Sequence, residues 1–188
     1  MSEPAPIAPD TKDWTWVLER PCPECGFDAS AVERAGIGAA IRGNAEEWQQ
    51  VLAAPQAADR PEPGVWSPTE YAAHVRDVHR VFAGRLTLML GEEGPRFANW
   101  DQDETAVTER YDLQLPDQVG PELAEEAGRV AAVYDGVADG PDDAWDRTGT
   151  RSNGSVFTVE TLGRYHLHDV VHHLWDVRWV HAADRGGA

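Results

Sequence analysis

The chain has 188 residues, 33 acidic against 16 basic, for a formal net charge of −17. That length suits one domain with a full core over 1–188 and is short for two, while the charge opposes a nucleic-acid footprint or an anionic membrane surface as partner by Coulomb repulsion. No apolar run reaches membrane-spanning length, and the first twenty residues lack the basic start and apolar core of a signal peptide, so a cytoplasmic protein is expected.

Residues 1–27 are rich in proline and carry Trp14 and Trp16, which reads as an extended arm packing its aromatics on the body. Cys22 and Cys25 form Cys-Pro-Glu-Cys. A zinc ribbon needs a second such pair, which the chain lacks. A reactive dithiol, a partial metal site completed by histidine, and a plain turn before Gly26 remain. With no strand and helix alternation nearby to suggest a thioredoxin-like motif, the turn is the preferred reading.

Asp28 is placed to cap a first helix over about 29–53, burying Val32, Ile37, Ile41, Trp48 and Val51 or Leu52. Gly36, Gly38 and Gly43 each weaken it by up to about 1 kcal/mol, so tertiary contacts must hold it. The connection from Pro55 to Gly64 ends it. Ser67-Pro68-Thr69-Glu70 then supplies an N-cap serine, a proline at the first helical position and a glutamate set to close a capping box. The helix that follows, to about Leu90, repeats Tyr71, His74, Val78, Val81, Phe82, Arg85 and Met89 at helical spacing, which places His74 within the core-facing stripe. A buried histidine needs a partner, either a carbonyl or carboxylate, or a metal shared with another helix.

The segment from Gly91 to Gln118 is long and acidic, with room for one short helix. Asp101, Asp103 and Glu104 lack the glycine and terminal glutamate of a calcium loop, so a solvated turn is expected. Long connections often cover functional sites, which makes Phe97, Trp100 and Tyr111 candidate pocket walls. Pro121 is expected to start a helix over about 122–138, with Leu123, Ala127, Val130, Ala131, Tyr134 and Val137 inward, and Gly140-Pro141 to stop it. Residues 142–158 hold Trp145 and a glycine-rich loop compatible with a small hairpin. Thr158 caps a last helix ending near His181, before a flexible tail over 182–188. The expected fold class is all-α, a four-helix bundle with uneven connections, a class that builds metal sites from side chains on facing helices.

The last helix carries the densest chemistry. Four of the seven histidines fall between Arg164 and Val177. At roughly 100° per residue Val159, Leu162, Val170, Leu174 and Val177 share one side, with Asp169 and His173 together at its edge. A carboxylate and an imidazole four residues apart can hold one metal ion. His168 and His172 repeat the spacing one residue earlier, on a side expected to face more towards solvent.

With Trp66-Ser67-Pro68-Thr69-Glu70-Tyr71-Ala72-Ala73-His74 on one helix and Asp169-x-x-x-His173-x-x-Asp176 on the last, the chain resembles the DinB-like superfamily of four-helix bundle proteins. It looks most like the branch containing mycothiol-dependent maleylpyruvate isomerases and related thiol S-transferases of actinobacteria. The resemblance covers the second and fourth helices well, the body by element order, and the Cys22 arm hardly at all. It implies a divalent metal, zinc first with nickel, iron or manganese as alternatives, on His74, Asp169 and His173. The chain departs from the family in its Asp at the middle position and in the rival His168 and His172, which would make the ligands three histidines.

Two imidazoles and a carboxylate leave coordination positions open, the arrangement of a catalytic site, and a thiol entering one is deprotonated by the metal. The expectation is a thiol-dependent transferase or isomerase acting on an electrophilic small molecule, with mycothiol the thiol that the resemblance implies. Asp176 or His172 would orient a ligand imidazole, and Arg85, Arg151 or Arg164 are candidates to receive the polar groups of thiol or substrate, with plain surface solvation the preferred role of each. Alternatives are a metal-dependent hydrolase and a non-catalytic stress-related bundle stapled by its metal. A monomer or homodimer is expected.

Overall fold

The computed structural model describes residue 7 and residues 13–185, with side chains as far as 178. Five α-helices and one short hairpin make up its regular structure, together with several single 3-10 turns. Helices α1 (Ile37–Leu52), α2 (Pro68–Gly91), α4 (Pro116–Ala138) and α5 (Val159–Arg185) form a four-helix bundle, and α3 (Gln102–Thr108) lies in the connection between α2 and α4. Both α1 and α2 pack against α4 and α5 and touch each other little, so they occupy one diagonal of the bundle.

Burial of the periodic apolar stripes drives the assembly. Trp48 and Ile41 of α1, Phe82, Leu86 and Met89 of α2, Leu123 and Tyr134 of α4, and Leu162, Leu167 and Val170 of α5 are buried in one core. None of the described helices is long and apolar enough to cross a membrane.

The first helix is shorter than its pattern suggests. Asp28 caps a 3-10 turn at Ala29–Ala31, accepting from the Ser30 amide at 2.9 Å. Val32 is then extended, and a second turn at Arg34–Gly36 leads into α1. The N-cap of α1 is Gly36, whose missing side chain offers no capping acceptor, so the Asp28 cap serves a separate turn.

In the opposite sense, α4 begins five residues before the expected start. Pro116 takes the first helical position and Pro121 sits inside the helix, where its missing amide forfeits a single bond in the second turn. Beside it the Gly120 carbonyl also accepts from Gln49 Nε2 of α1 at 2.9 Å. The last helix continues to Arg185, past the expected end near His181. Residues 186–188 of the expected tail lie outside the described residues, as do 1–6 and 8–12 of the arm.

The hairpin pairs β1 (Thr148–Thr150) with β2 (Val156–Thr158) in antiparallel register. Thr158 then caps α5, its Oγ1 accepting from the Thr161 amide at 3.1 Å. In the arm a 3-10 helix, Thr15–Leu18, and a turn at residues 23–25 pack against α5, in place of a fully extended strand.

Candidate metal centre

The capping box of α2 forms as its sequence dictates: Ser67 Oγ accepts from the Glu70 amide at 3.2 Å and Glu70 Oε2 from the Ser67 amide at 2.8 Å. Arg60 forks onto the same buried carboxylate. The Thr69 amide and hydroxyl donate to the Ala57 carbonyl at 2.9 and 2.7 Å, tying the preceding connection to the helix. This fixed start aims the side chain one turn further on. His74 is wholly buried, with Trp66 at 5.4 Å on one side and the Trp100 ring stacked at 5.5 Å on another.

Across from it α5 presents Asp169 and His173. Asp169 Oδ1 lies 3.8 Å from His74 Nε2 and 3.5 Å from His173 Nε2, and the ligand atoms of the three residues lie within 4.8 Å of one another. These separations are long for hydrogen bonds but close to the edge of a zinc coordination tetrahedron, about 3.4 Å for bonds of about 2.0–2.1 Å. Both ring nitrogens of His74 and Oδ1 of Asp169 are buried with no hydrogen-bond partner among the described residues. Behind the cluster Asp176 Oδ2 accepts from His173 Nδ1 at 3.2 Å, which leaves His173 Nε2 with its lone pair towards Asp169.

Electrostatics keep these groups in the protonation states that a cation requires. Burial pushes the His74 imidazole below its ordinary value, with Asp169 acting against it. Burial alone would raise the Asp169 carboxyl, but the neighbouring His74 and His173 imidazoles hold it well below the usual carboxylate range. The site therefore presents a carboxylate and a neutral His74.

A cleft of about 560 Å³ opens onto Asp169, His173 and Asp176. Trp66, Tyr71, Trp100 and Tyr165 supply aromatic walls and Arg151 a cation. Trp100 Nε1 donates to Thr105 Oγ1 of α3 at 2.9 Å, so the short helix fixes the ring stacked on His74. The acidic loop residue Asp101 caps α3, accepting from the Asp103 and Glu104 amides at 3.1 and 2.9 Å.

Two other candidate wall residues lie in the core and do not line the cleft. Tyr111 is buried, and its hydroxyl donates to Asp77 Oδ2 at 2.5 Å. Phe97 is buried beside Arg85, whose guanidinium lies between the Phe82 and Phe97 rings at 5.4 and 5.7 Å. Arg85 is thus drawn away from the cleft by its aromatic neighbours, and burial lowers it to about 10. Arg164 Nη2 donates to the Val32 carbonyl at 3.0 Å and pairs with Glu160. Of the three arginines considered for substrate groups, Arg151 reaches the cleft.

The expected exposure of the rival register is corrected by the arm. His168 and His172 are 3 % and 7 % exposed, covered by the Trp14 ring at 5.4 and 4.8 Å, with Phe27 against His168 at 5.6 Å. A helical wheel of α5 cannot reveal a cover supplied from residues 13–27. Sequence reasoning also missed a buried pair beneath the centre: His79 Nδ1 and His166 Nε2 are 2.9 Å apart, and the Phe82 ring stacks on His166 at 4.4 Å. The available signal was the place of His79 on α2, five residues after His74.

Fold and site together define a class: a four-helix bundle whose facing helices bring two imidazoles and a carboxylate together, with Asp169 and His173 lining an open cleft and His74 buried behind them. A model of the DinB superfamily matches residues 40–177. The chain belongs to the DinB superfamily. Among solved structures it is similar to YfiT from Bacillus subtilis, described as a probable metal-dependent hydrolase with an unusual four-helix bundle topology, with a TM-score of 0.70 and 19% identity over 82% of this chain and 89% of that one. No curated protein matches.

Proposed function

We propose that this protein is a divalent-metal enzyme that joins a low-molecular-weight thiol to an electrophilic small molecule, or isomerises the substrate through such an adduct, with mycothiol as the thiol that the sequence resemblance implies. The observation that carries the reading is the convergence of His74, Asp169 and His173, with ligand atoms within 4.8 Å, of which Asp169 and His173 line a cleft of about 560 Å³. The orphaned buried atoms of His74 and Asp169 fit a bound cation, since buried polar atoms in folded proteins are otherwise satisfied. Zinc suits two imidazoles and one carboxylate best; nickel, iron and manganese accept the same donors.

An ion held there would acidify a thiol or water entering its open positions and polarise a substrate carbonyl. The chain's own residues do the rest. Asp176, accepting from His173 Nδ1, holds that imidazole in the tautomer that presents Nε2 as a ligand. Trp66 and Trp100 close the buried side of His74 against water. Burial raises the Tyr71 phenol, which stays protonated in the cleft wall as a hydrogen-bond donor, and Arg151 offers a cation to a carboxylate of substrate or thiol.

A second reading, hydrolysis with water in place of the thiol, is favoured by the likeness to YfiT. One experiment separates them: elemental analysis of purified protein and of His74→Ala, followed by consumption of a panel of electrophiles with and without mycothiol. Bound metal, diminished in the variant, together with mycothiol-dependent turnover is the expected result. Metal-dependent turnover indifferent to thiol would establish the hydrolase instead, and full metal content in the variant would overturn both readings.

A further inference from the structure

The second histidine register of α5 meets the cysteines of the arm. Cys22 Sγ lies 3.8 Å from His172 Nδ1, and the four residues Cys22, Cys25, His168 and His172 each bring one ligand atom to within 4.8 Å of the others. We infer that this cluster is a second, closed metal site, a Cys2His2 zinc centre that staples the arm to the bundle. It is separate from the open centre on His74, Asp169 and His173, and stands whether or not that centre is catalytic.

Four observations carry it. The spacing Cys-x-x-Cys with His-x-x-x-His is that of structural zinc sites, although here the two halves are brought together by the fold: the first His comes 143 positions after the second Cys. The Cys22 Sγ to His172 Nδ1 separation of 3.8 Å matches an edge of a zinc tetrahedron, about 3.4–3.8 Å for bonds of about 2.0–2.3 Å, and with every ligand atom within 4.8 Å of the others a contraction of about 1 Å or less closes the cage. His168 Nε2 is buried with no hydrogen-bond partner among the described residues, an orphan that metal ligation would relieve. Finally, while His172 Nδ1 faces sulphur, its Nε2 faces Glu24 at 3.4 Å and Asp176 at 3.7 Å, the carboxylate support that a metal-bound imidazole habitually receives on its far nitrogen.

Local backbone geometry favours the same role. The Gly26 amide donates to the Cys22 carbonyl at 2.9 Å and the Cys22 amide to the Phe27 carbonyl at 2.8 Å, closing a tight turn that points both thiols at α5. Gly26 has φ +75, in the left-handed region that glycine enters without strain. Cys22 is 1 % exposed, and both cysteines are free thiols. Four protein ligands leave no coordination position for substrate, which makes the centre architectural. Its consequence lies next door: the stapled arm contributes Trp14 and Glu24 to the wall of the cleft. The two registers of α5 thus cease to be rivals, one serving each metal.

Cobalt titration of the reduced, chelator-stripped full chain tests the proposal. Wild type is expected to take up two equivalents of Co²⁺, one of them giving a thiolate-to-cobalt charge-transfer band. Cys22→Ser/Cys25→Ser should lose that band and one equivalent. His74→Ala should keep the band and lose the other equivalent, so failure at either centre is read separately. The zinc-loaded wild type provides a second arm that does not depend on the double variant folding: mercurial modification of its two thiols should release one zinc per chain to a colorimetric chelator. Absence of the charge-transfer band at saturating Co²⁺ with both thiols reduced, no zinc release on modification, or recovery of the protein with a Cys22–Cys25 disulfide would each overturn the proposal.

Discussion

Asp176 accepts from His173 Nδ1, so its carboxylate sets which nitrogen of that imidazole carries the proton, while its other oxygen lies 3.7 Å from His172 Nε2. Replacing it with asparagine keeps the shape and removes the charge. Zinc affinity at the open centre should fall by about 10–100-fold, the usual cost of losing a carboxylate behind a metal-bound imidazole, with unchanged circular dichroism; a Kd within twofold of wild type would contradict the role. His79 makes a different prediction. Burial lowers it to about 4, against about 6.5 in an unfolded chain, and His166 is lowered too. Between those values the unfolded chain binds more protons, so stability is fullest above about pH 6.5 and declines as pH falls towards 4. For His79 the loss is on the order of 3 kcal/mol. Urea titrations of chelated protein across that window should show it, with a shallower slope for His79→Gln; equal slopes would contradict the assignment.

At the level of elements, close packing explains why two helical glycines differ. A Cβ on Gly163 of α5 would meet Ile37 Cδ1 at 2.8 Å and Tyr134 Cε1 at 3.0 Å, whereas one on Gly128 of α4 would meet nothing within 4 Å. Gly163→Ala is therefore expected to destabilise by about 1–3 kcal/mol through overpacking, and Gly128→Ala to stabilise by up to about 1 kcal/mol through helix propensity; thermal melts that gave both the same sign would refute this account of the α1, α4 and α5 junction. The helices themselves were legible wherever local chemistry decided them. The capping box, the Thr158 cap and the apolar stripe of α5 depend on neighbours in sequence. Starts that depend on tolerance were not legible: Pro121 marks no boundary because α4 gives up one bond, and the Asp28 cap is spent on a 3-10 turn. Of the centre, the pair Asp169 and His173 followed from helical spacing, and His74 from its place in an apolar stripe. The burial of His168 and His172 did not follow, because the covering residues are remote in sequence. Nor did the retreat of Tyr111 and Arg85 into the core, where Asp77 and two phenylalanine rings hold them.

Across the whole molecule, the bundle positions α2 and α5 side by side so that one end of their seam carries the candidate centre of His74, Asp169 and His173, while the arm and the connection through α3 wall the cleft above it. The strongly acidic surface, with its net charge of −17, draws cations towards the molecule and disfavours polyanions, so under the proposed function a substrate carboxylate would need Arg151 and a bound metal for its reception. All of this rests on one cation being shared by helices far apart in the chain. Anomalous diffraction from crystals of zinc-saturated protein is the most direct measurement of it. The account predicts a metal peak within coordination distance of His74 Nε2, Asp169 Oδ1 and His173 Nε2, and the absence of density between those three side chains at saturating zinc would contradict it.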